Sequence, residues 1–256
     1  MRGKFEKRRS KKKSPLGLIA LILLGLLVIG VVLLLTLPSG KPGEPTDSTD
    51  PTETEPGSSG TGLHIELEEQ PAINLGYGLE IIDAGRYTGA YMEDGSDELV
   101  SDVMMIVVRN SGEDDIQLAQ ITAVSQEEEY HFTLTNLAAG EQAVVLERDR
   151  KLSTGAALIS AVLENPVVFP EPMSLQEDVL EISGLDGMLN VKNISDSDIT
   201  GDIYIYYKYA AQDVFYGGIT FRVCVEGGLT AGELRQLPAG HYSPEGCVIV
   251  QVTVNG

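Results

Sequence analysis

Three short segments of this chain occur twice, in the same order. Val108-Arg109-Asn110-Ser111 returns 83 residues later as Val191-Lys192-Asn193-Ile194-Ser195, and Leu137-Ala138-Ala139-Gly140-Glu141 returns 92 residues later as Leu229-Thr230-Ala231-Gly232-Glu233. Gly155, ahead of Leu158 and Ala161, matches Gly246, ahead of Ile249 and Val252, at an offset of 91. Self-similarity at such a distance means two copies of one unit, each burying its own core. The step in offset from 83 to 92 places nine extra residues in the second copy, between its first and second markers. The markers have turn chemistry. Asn and Ser bond their own backbone or tolerate left-handed angles, and the Gly of Leu-x-Ala-Gly-Glu supplies the backbone angle at which the next strand starts, which makes these residues structural.

Both copies read as β-structure. Val103–Val108, Ile203–Tyr207 and Ile219–Val225 are β-branched or aromatic runs of strand length bounded by polar or glycine-containing turns. In the last, Ile219, Phe221, Val223 and Val225 alternate with Thr220, Arg222 and Cys224, so one face is buried. Ala156–Glu164 has helical propensity, but its repeat partner Cys247–Val254 alternates, and a strand is expected at both. Many short strands without αβ alternation predict an all-β chain of two tandem immunoglobulin-like antiparallel β-sandwich domains, over 63–170 and 171–256. Pro166, Pro170 and Pro172 are expected to interrupt regular structure and mark the join.

What precedes residue 63 sets the compartment. Pro15–Leu37 is 23 residues without a charge, long enough to cross a hydrocarbon layer of about 30 Å as a helix. Residues 1–14 form a basic stub with eight Lys and Arg against the lone Glu6, which keeps the N-terminus in the cytoplasm. The apolar run is longer than that of a cleaved signal, and Leu34-Leu35-Thr36-Leu37-Pro38-Ser39-Gly40 has no small-x-small cleavage site, so an uncleaved signal anchor is expected. Residues 38–62 have no aliphatic or aromatic side chain and repeat Pro, Thr, Ser, Gly and acid, the composition of a disordered stalk. Beyond the span stand 10 basic and 37 acidic residues (18 minus 8, 38 minus 1), a balance that repels nucleic acid.

The recurring pattern of a Val-x-Asn-x-Ser turn, an acidic loop, an aromatic strand and Leu-x-x-Gly-Glu resembles the bacterial surface β-sandwich families FxLYD and CARDB. Tyr204-Ile205-Tyr206-Tyr207-Lys208 stands for the F-x-L-Y-D strand, with lysine in place of the terminal acid. The resemblance covers about two-thirds of the region after the stalk and implies a fold class and a surface setting; no binding residue carries over. The whole chain also resembles membrane-anchored proteins of Gram-positive, Firmicutes-like bacteria.

Chemistry-bearing constellations are sparse. Asp196-Ser197-Asp198-Ile199-Thr200-Gly201-Asp202 places acids at positions 1, 3 and 7 and glycine at position 6 of a calcium-loop register. Position 12 is Tyr207 instead of Glu, and the loop leads into a strand, so Asp196, Asp198 and Asp202 make at most a weak, solvent-completed metal site. His64, His131 and His241 fall in no zinc spacing, and there is no nucleophile elbow or phosphate loop, so neither an enzyme nor a cofactor is expected. Cys224 and Cys247 both lie beyond the span, where the compartment permits a disulfide, and each stands in the polar phase of its strand, opposite the Val223/Val225 and Val248/Val250 faces, so they would meet if those strands were neighbours; free strand cysteines are the equal alternative. The function that fits is a membrane-anchored, extracellular, non-catalytic binding or adhesion protein meeting another protein or a cell-wall polymer. The alternative is an accessory subunit of a membrane or cell-envelope machine.

Overall fold

The computed structural model describes residues 63–255, apart from Glu69 and Glu127. The stub, span and stalk expected over 1–14, 15–37 and 38–62 lie outside the described residues. Fourteen strands and no helix make up what is described. The first copy holds β1 (His64–Glu68), β2 (Ile73–Gly76), β3 (Leu79–Ala90), β4 (Leu99–Asn110), β5 (Ile116–Val124), β6 (Glu129–Leu137), β7 (Gln142–Leu146) and β8 (Ser160–Val168). The second holds β9 (Leu180–Leu185), β10 (Met188–Asn193), β11 (Asp202–Ala211), β12 (Val214–Val225), β13 (Leu234–Pro238) and β14 (Cys247–Asn255).

The repeat in sequence is a repeat in strand pairing. In the first copy β4 pairs antiparallel with β3 and β7, while β5 pairs with β6 and β8. In the second β10 pairs with β9 and β13, while β11 pairs with β12 and β14. Each set of six strands closes on its own apolar cluster: Ile81, Met104, Ile106, Ile121, Phe132 and Leu134 in one, and Leu189, Val191, Ile203, Ile205, Tyr207 and Val252 in the other. The alternation of the strands puts these residues inward, and the polar phase faces out. β1 and β2 are additions to the first copy and pair along β3.

The markers are the bolts of each unit. Asn110 and Asn193 are fully buried. Asn110 Nδ2 donates to the carbonyls of Asp114 (2.9 Å) and Leu137 (3.2 Å), and Asn193 Nδ2 donates to those of Ser197 (2.8 Å) and Leu229 (3.2 Å). Their backbones pair with the second marker in the same way: Asn110 N–H to Glu141 O and Gly140 N–H to Asn110 O, then Asn193 N–H to Glu233 O and Gly232 N–H to Asn193 O. Gly140 and Gly232 stand at φ of +85° and +76°, the left-handed conformation that their place before the strand demands. One buried amide thus ties two loops and a strand end, which explains why the markers recur together although 27 residues separate Asn110 from Leu137.

The extra residues of the second copy lengthen one hairpin. Ile116 pairs with Leu137 at the base of β5–β6, as Ile199 does with Leu229 at the base of β11–β12. The copy-one hairpin turns between Val124 and Glu129, and the copy-two hairpin continues to Ala211 and Val214. The added length reaches the first copy, where β12 pairs in parallel with β7 (Phe215 with Ala143, Tyr216 with Val144). An eight-stranded sheet therefore runs β1-β3-β4-β7-β12-β11-β14 through both copies, with β2 on β3.

Pro170 and Pro172 lie in the irregular stretch between β8 and β9, as expected, but Pro166 does not break the chain. β8 runs on through Asn165-Pro166 to Val168 because Leu118 pairs with Val167 and Gln120 with Glu164, leaving Asn165 (φ +46°) and Pro166 in a bulge that requires no ladder N–H. The strand expected over 156–164 accordingly starts at Ser160.

Replacing Asn193 with Ala leaves the carbonyls of Ser197 and Leu229 and the N–H of Ser195 without this partner. The expected loss is about 2 to 3 kcal/mol, read as a lower urea midpoint. Asn193→Asp, which keeps the acceptor but turns an oxygen toward two carbonyls, should do no better.

Candidate functional site: the junction of the two copies

The tip of the β11–β12 hairpin is a two-residue turn, Gln212-Asp213, with both residues at positive φ (54° and 63°), the geometry that suits the twist of a hairpin. From this turn β12 descends along β7 and then parts from it at Gly217-Gly218. Gly217 is at φ +91°, and a Cβ on Gly218 would stand 2.0 Å from the Thr133 carbonyl, so only glycine lets β12 pass this close to β6.

Glu93, from the β3–β4 loop, fills the place where β7 and β12 separate. Its Oε1 accepts the N–H of Leu146 and of Gly218, each at 2.8 Å, and Oε2 accepts the N–H of Ile219 at 3.2 Å. One carboxylate thus caps two strands from different copies. Burial raises its pKa, and the three N–H donors and the Lys208 ammonium oppose that rise. Lys208 is fully buried beside it, donating to the Gly218 carbonyl at 2.9 Å with its ammonium 5.6 Å from the centre of the Phe215 ring. Burial pushes Lys208 down to about 8, against the pull of Glu93 and Glu141.

Further polar pairs extend the seam. Thr135 and Thr220 hydroxyls meet at 2.9 Å, Asn136 Nδ2 donates to Gln251 Oε1 at 2.6 Å, and His241 Nδ1 lies 3.2 Å from Asp97. His241 also stacks on Phe221 with ring centres 4.6 Å apart. Where the hairpin tip overhangs the β6–β7 turn there is an open cleft of about 470 Å³. Glu141, Asp213 and Glu245 stand around it, with Ala211, Phe215 and Val248 as its apolar lining. Burial raises the pKa of Glu141, and the Asp115 carboxylate adds to the rise.

The metal-ligand candidates and the cysteines singled out from sequence lie elsewhere, in the second copy. Asp198 Oδ1 accepts the Ala231 N–H at 2.9 Å, the same bond that Asp115 makes to Ala139 in the first copy. Asp202 accepts the Gly227 N–H and the Tyr204 hydroxyl, and Asp196 is exposed in the loop. Asp198 and Asp202 are turn fasteners, and among the described residues no three His, Cys, Asp or Glu side chains gather to hold a metal ion. His131 sits between Thr122 and Glu129, and the Ser243 hydroxyl accepts the Gly246 N–H.

The premise of the disulfide does not hold. Cys224 lies opposite Tyr204 on one side of β11, and Cys247 lies opposite Tyr209 on the other. Five residues of strand and two strand spacings put them about 16 Å apart along the sheet and about 9 to 10 Å across it, beyond the roughly 7 Å limit of Cα separation for a bridge. Both thiols are free. The register between β11 and β14 also shifts at Tyr206/Tyr207, and this turns Cys247 into the core while Val248 faces solvent, the reverse of the phase expected from alternation.

Glu93 carried no signal of its own in the sequence, and Glu141 was legible only as part of a turn marker. Glu93 is one acid among 38, placed in a loop. Lys208 did stand out as the lysine where the resembling motif has an acid, and strand phase put it with Tyr204 and Tyr206 on the outward face; the first copy covers that face at this point. No protein-family model, no curated protein and no solved structure matches the chain.

Two measurements probe the junction. Between about pH 8 and the ordinary lysine value of 10.5 the unfolded chain holds a proton that folded Lys208 has released, so stability should rise with pH. Above pH 10 the trend reverses, because Tyr87, Tyr207 and Tyr209 keep their protons up to about 12 only when folded. Urea midpoints at pH 7.5 and 9.5 should differ by an amount worth about 1 to 2 kcal/mol, and Lys208→Met should flatten the difference; its Gly218 carbonyl retains the Thr135 hydroxyl at 3.2 Å. For the cysteines, unreduced protein denatured in the presence of an alkylating agent should take up two labels per chain, and reductant should leave the melting temperature unchanged.

Proposed function

We propose that this chain is a single-pass membrane protein, N-terminus in the cytoplasm, that displays two tandem immunoglobulin-like sandwiches, 63–170 and 171–256, outside the cell as a non-catalytic binding or adhesion module. The observation that carries this reading is the order of charge along the chain: a basic stub, 23 uncharged residues, then a region with 37 acidic and 10 basic residues. The all-β fold supports it, since two sheets per copy offer broad faces and loop ends for recognition, and the likeness to FxLYD and CARDB domains points the same way. The shared sheet and the Glu93 cap hold the two units in one orientation, so a partner meets a single preformed surface in which no side chains have to be ordered across a hinge. Another protein or a wall polymer is the expected partner, and the acidic surface disfavours nucleic acid.

Protease added to intact cells or spheroplasts should remove the region beyond Pro38 while the basic stub stays protected. Full protection of the C-terminal region in spheroplasts, with cleavage only after lysis, would reverse the assigned topology.

A further inference from the structure

The repeat provides an internal comparison at Glu141. In both copies the glutamate after the marker glycine bends back to accept an N–H three residues earlier, Glu141 from Ala138 at 2.8 Å and Glu233 from Thr230 at 2.9 Å. In the second copy other groups then complete the carboxylate. The Thr230 hydroxyl donates at 3.0 Å and the Arg235 guanidinium at 2.6 Å; the Thr230 N–H first, then the guanidinium and the hydroxyl, hold Glu233 down to about 2. In the first copy both completing residues are missing. At the same offset of 92, Ala138 stands for Thr230 and Ala143 for Arg235.

Glu141 consequently makes no ion pair with any described residue. Lys208, whose field reaches it, spends its ammonium on the Gly218 carbonyl. The uncompleted carboxylate faces the cleft of about 470 Å³, with Asp213 and Glu245 around it and no basic residue in its lining. That volume is within the range of ligand-binding clefts, about 300 to 1,000 Å³. The carboxylates do not converge on one point as a metal site requires. Spread acids around an apolar floor of Ala211, Phe215 and Val248 suit a cation with an aliphatic stem.

We propose that this cleft binds an arginine side chain of a partner polypeptide, its guanidinium on Glu141 as Arg235 is on Glu233 and its stem against Phe215 and Val248. The inference rests on the reading of this region as a binding module and names the chemistry of what it binds. The full chain in detergent micelles, titrated calorimetrically with acetyl-Ala-Arg-Ala-amide, should show saturable one-to-one binding. The citrulline analogue, uncharged and of the same shape, should bind on the order of tenfold more weakly or not at all. Glu141→Gln, which keeps an acceptor for the Ala138 N–H, and Asp213→Asn, which suits its positive φ, should each weaken binding by a similar factor; Glu233→Gln should not. Melting temperatures close to that of the parent establish that the variants are folded. Absence of saturable binding in the millimolar range, equal binding of the citrulline peptide, or binding unchanged by Glu141→Gln would each overturn the proposal. Protease accessibility reads out the anchored topology independently, so failure here leaves that reading standing.

Discussion

A carboxylate drawn out of water must find donors, and at the junction the half-buried Glu93 takes them from both copies at once. Without it the N–H groups of Leu146, Gly218 and Ile219 would be left where β7 and β12 diverge, and unpaired backbone donors away from water are costly. The parallel pairing of β7 with β12 is only two residue pairs long, so the cap is a large part of what joins the strands there. The rest of the seam follows from that fixed point. Gly218 is drawn against the Thr133 carbonyl, Thr220 reaches Thr135, and Lys208 is sealed beneath the overlap with the Gly218 carbonyl as its acceptor.

The two copies show how one unit is adapted to two positions. The asparagine bolts, the marker glycines and the Asp115 and Asp198 fasteners are common to both, because each unit must close its own core. The differences lie at the edges. β7 is interior to the shared sheet, flanked by β4 and β12, and Ala143 is small enough to lie beneath Phe215. Its counterpart β13 is an outer strand, and there Arg235 and Pro238 guard the edge with a charge and a missing N–H. The same substitution that lets β7 be covered, Ala for Arg, removes the partner of the neighbouring glutamate and leaves Glu141 facing the cleft. Fold assembly and the proposed recognition of a cation thus trace to one residue position.

Strand content, the duplication and the structural role of the markers were legible in the residues. Alternation, turn chemistry and an internal repeat are local signals, and a repeat reports that two stretches solve the same packing problem. Local signals misled where a bulge intervened. Pro166 reads as a stop until Gln120 and Leu118 are seen to skip it, and Cys247 reads as outward-facing until the shift at Tyr206/Tyr207 reverses its phase. Strand adjacency was equally hidden: β12 and β14 both flank β11, which placed the two cysteines on opposite sides of one strand.

By itself the sequence determined an all-β fold, a duplicated unit and a sharp division of charge, because each depends on the order of residue types along the chain. Tertiary structure alone decided what the nine extra residues do, which of the 38 acids meets strands of both copies, and which glutamate has lost its cation. Those outcomes depend on which surfaces meet across a distance of more than 100 residues, as Glu93 meets Gly218, and the character of such a residue changes with its surroundings. A carboxylate in water is a solubilising charge. Placed between two diverging strands it becomes a clasp, and at the rim of an apolar cleft it becomes an unfilled half of an ion pair.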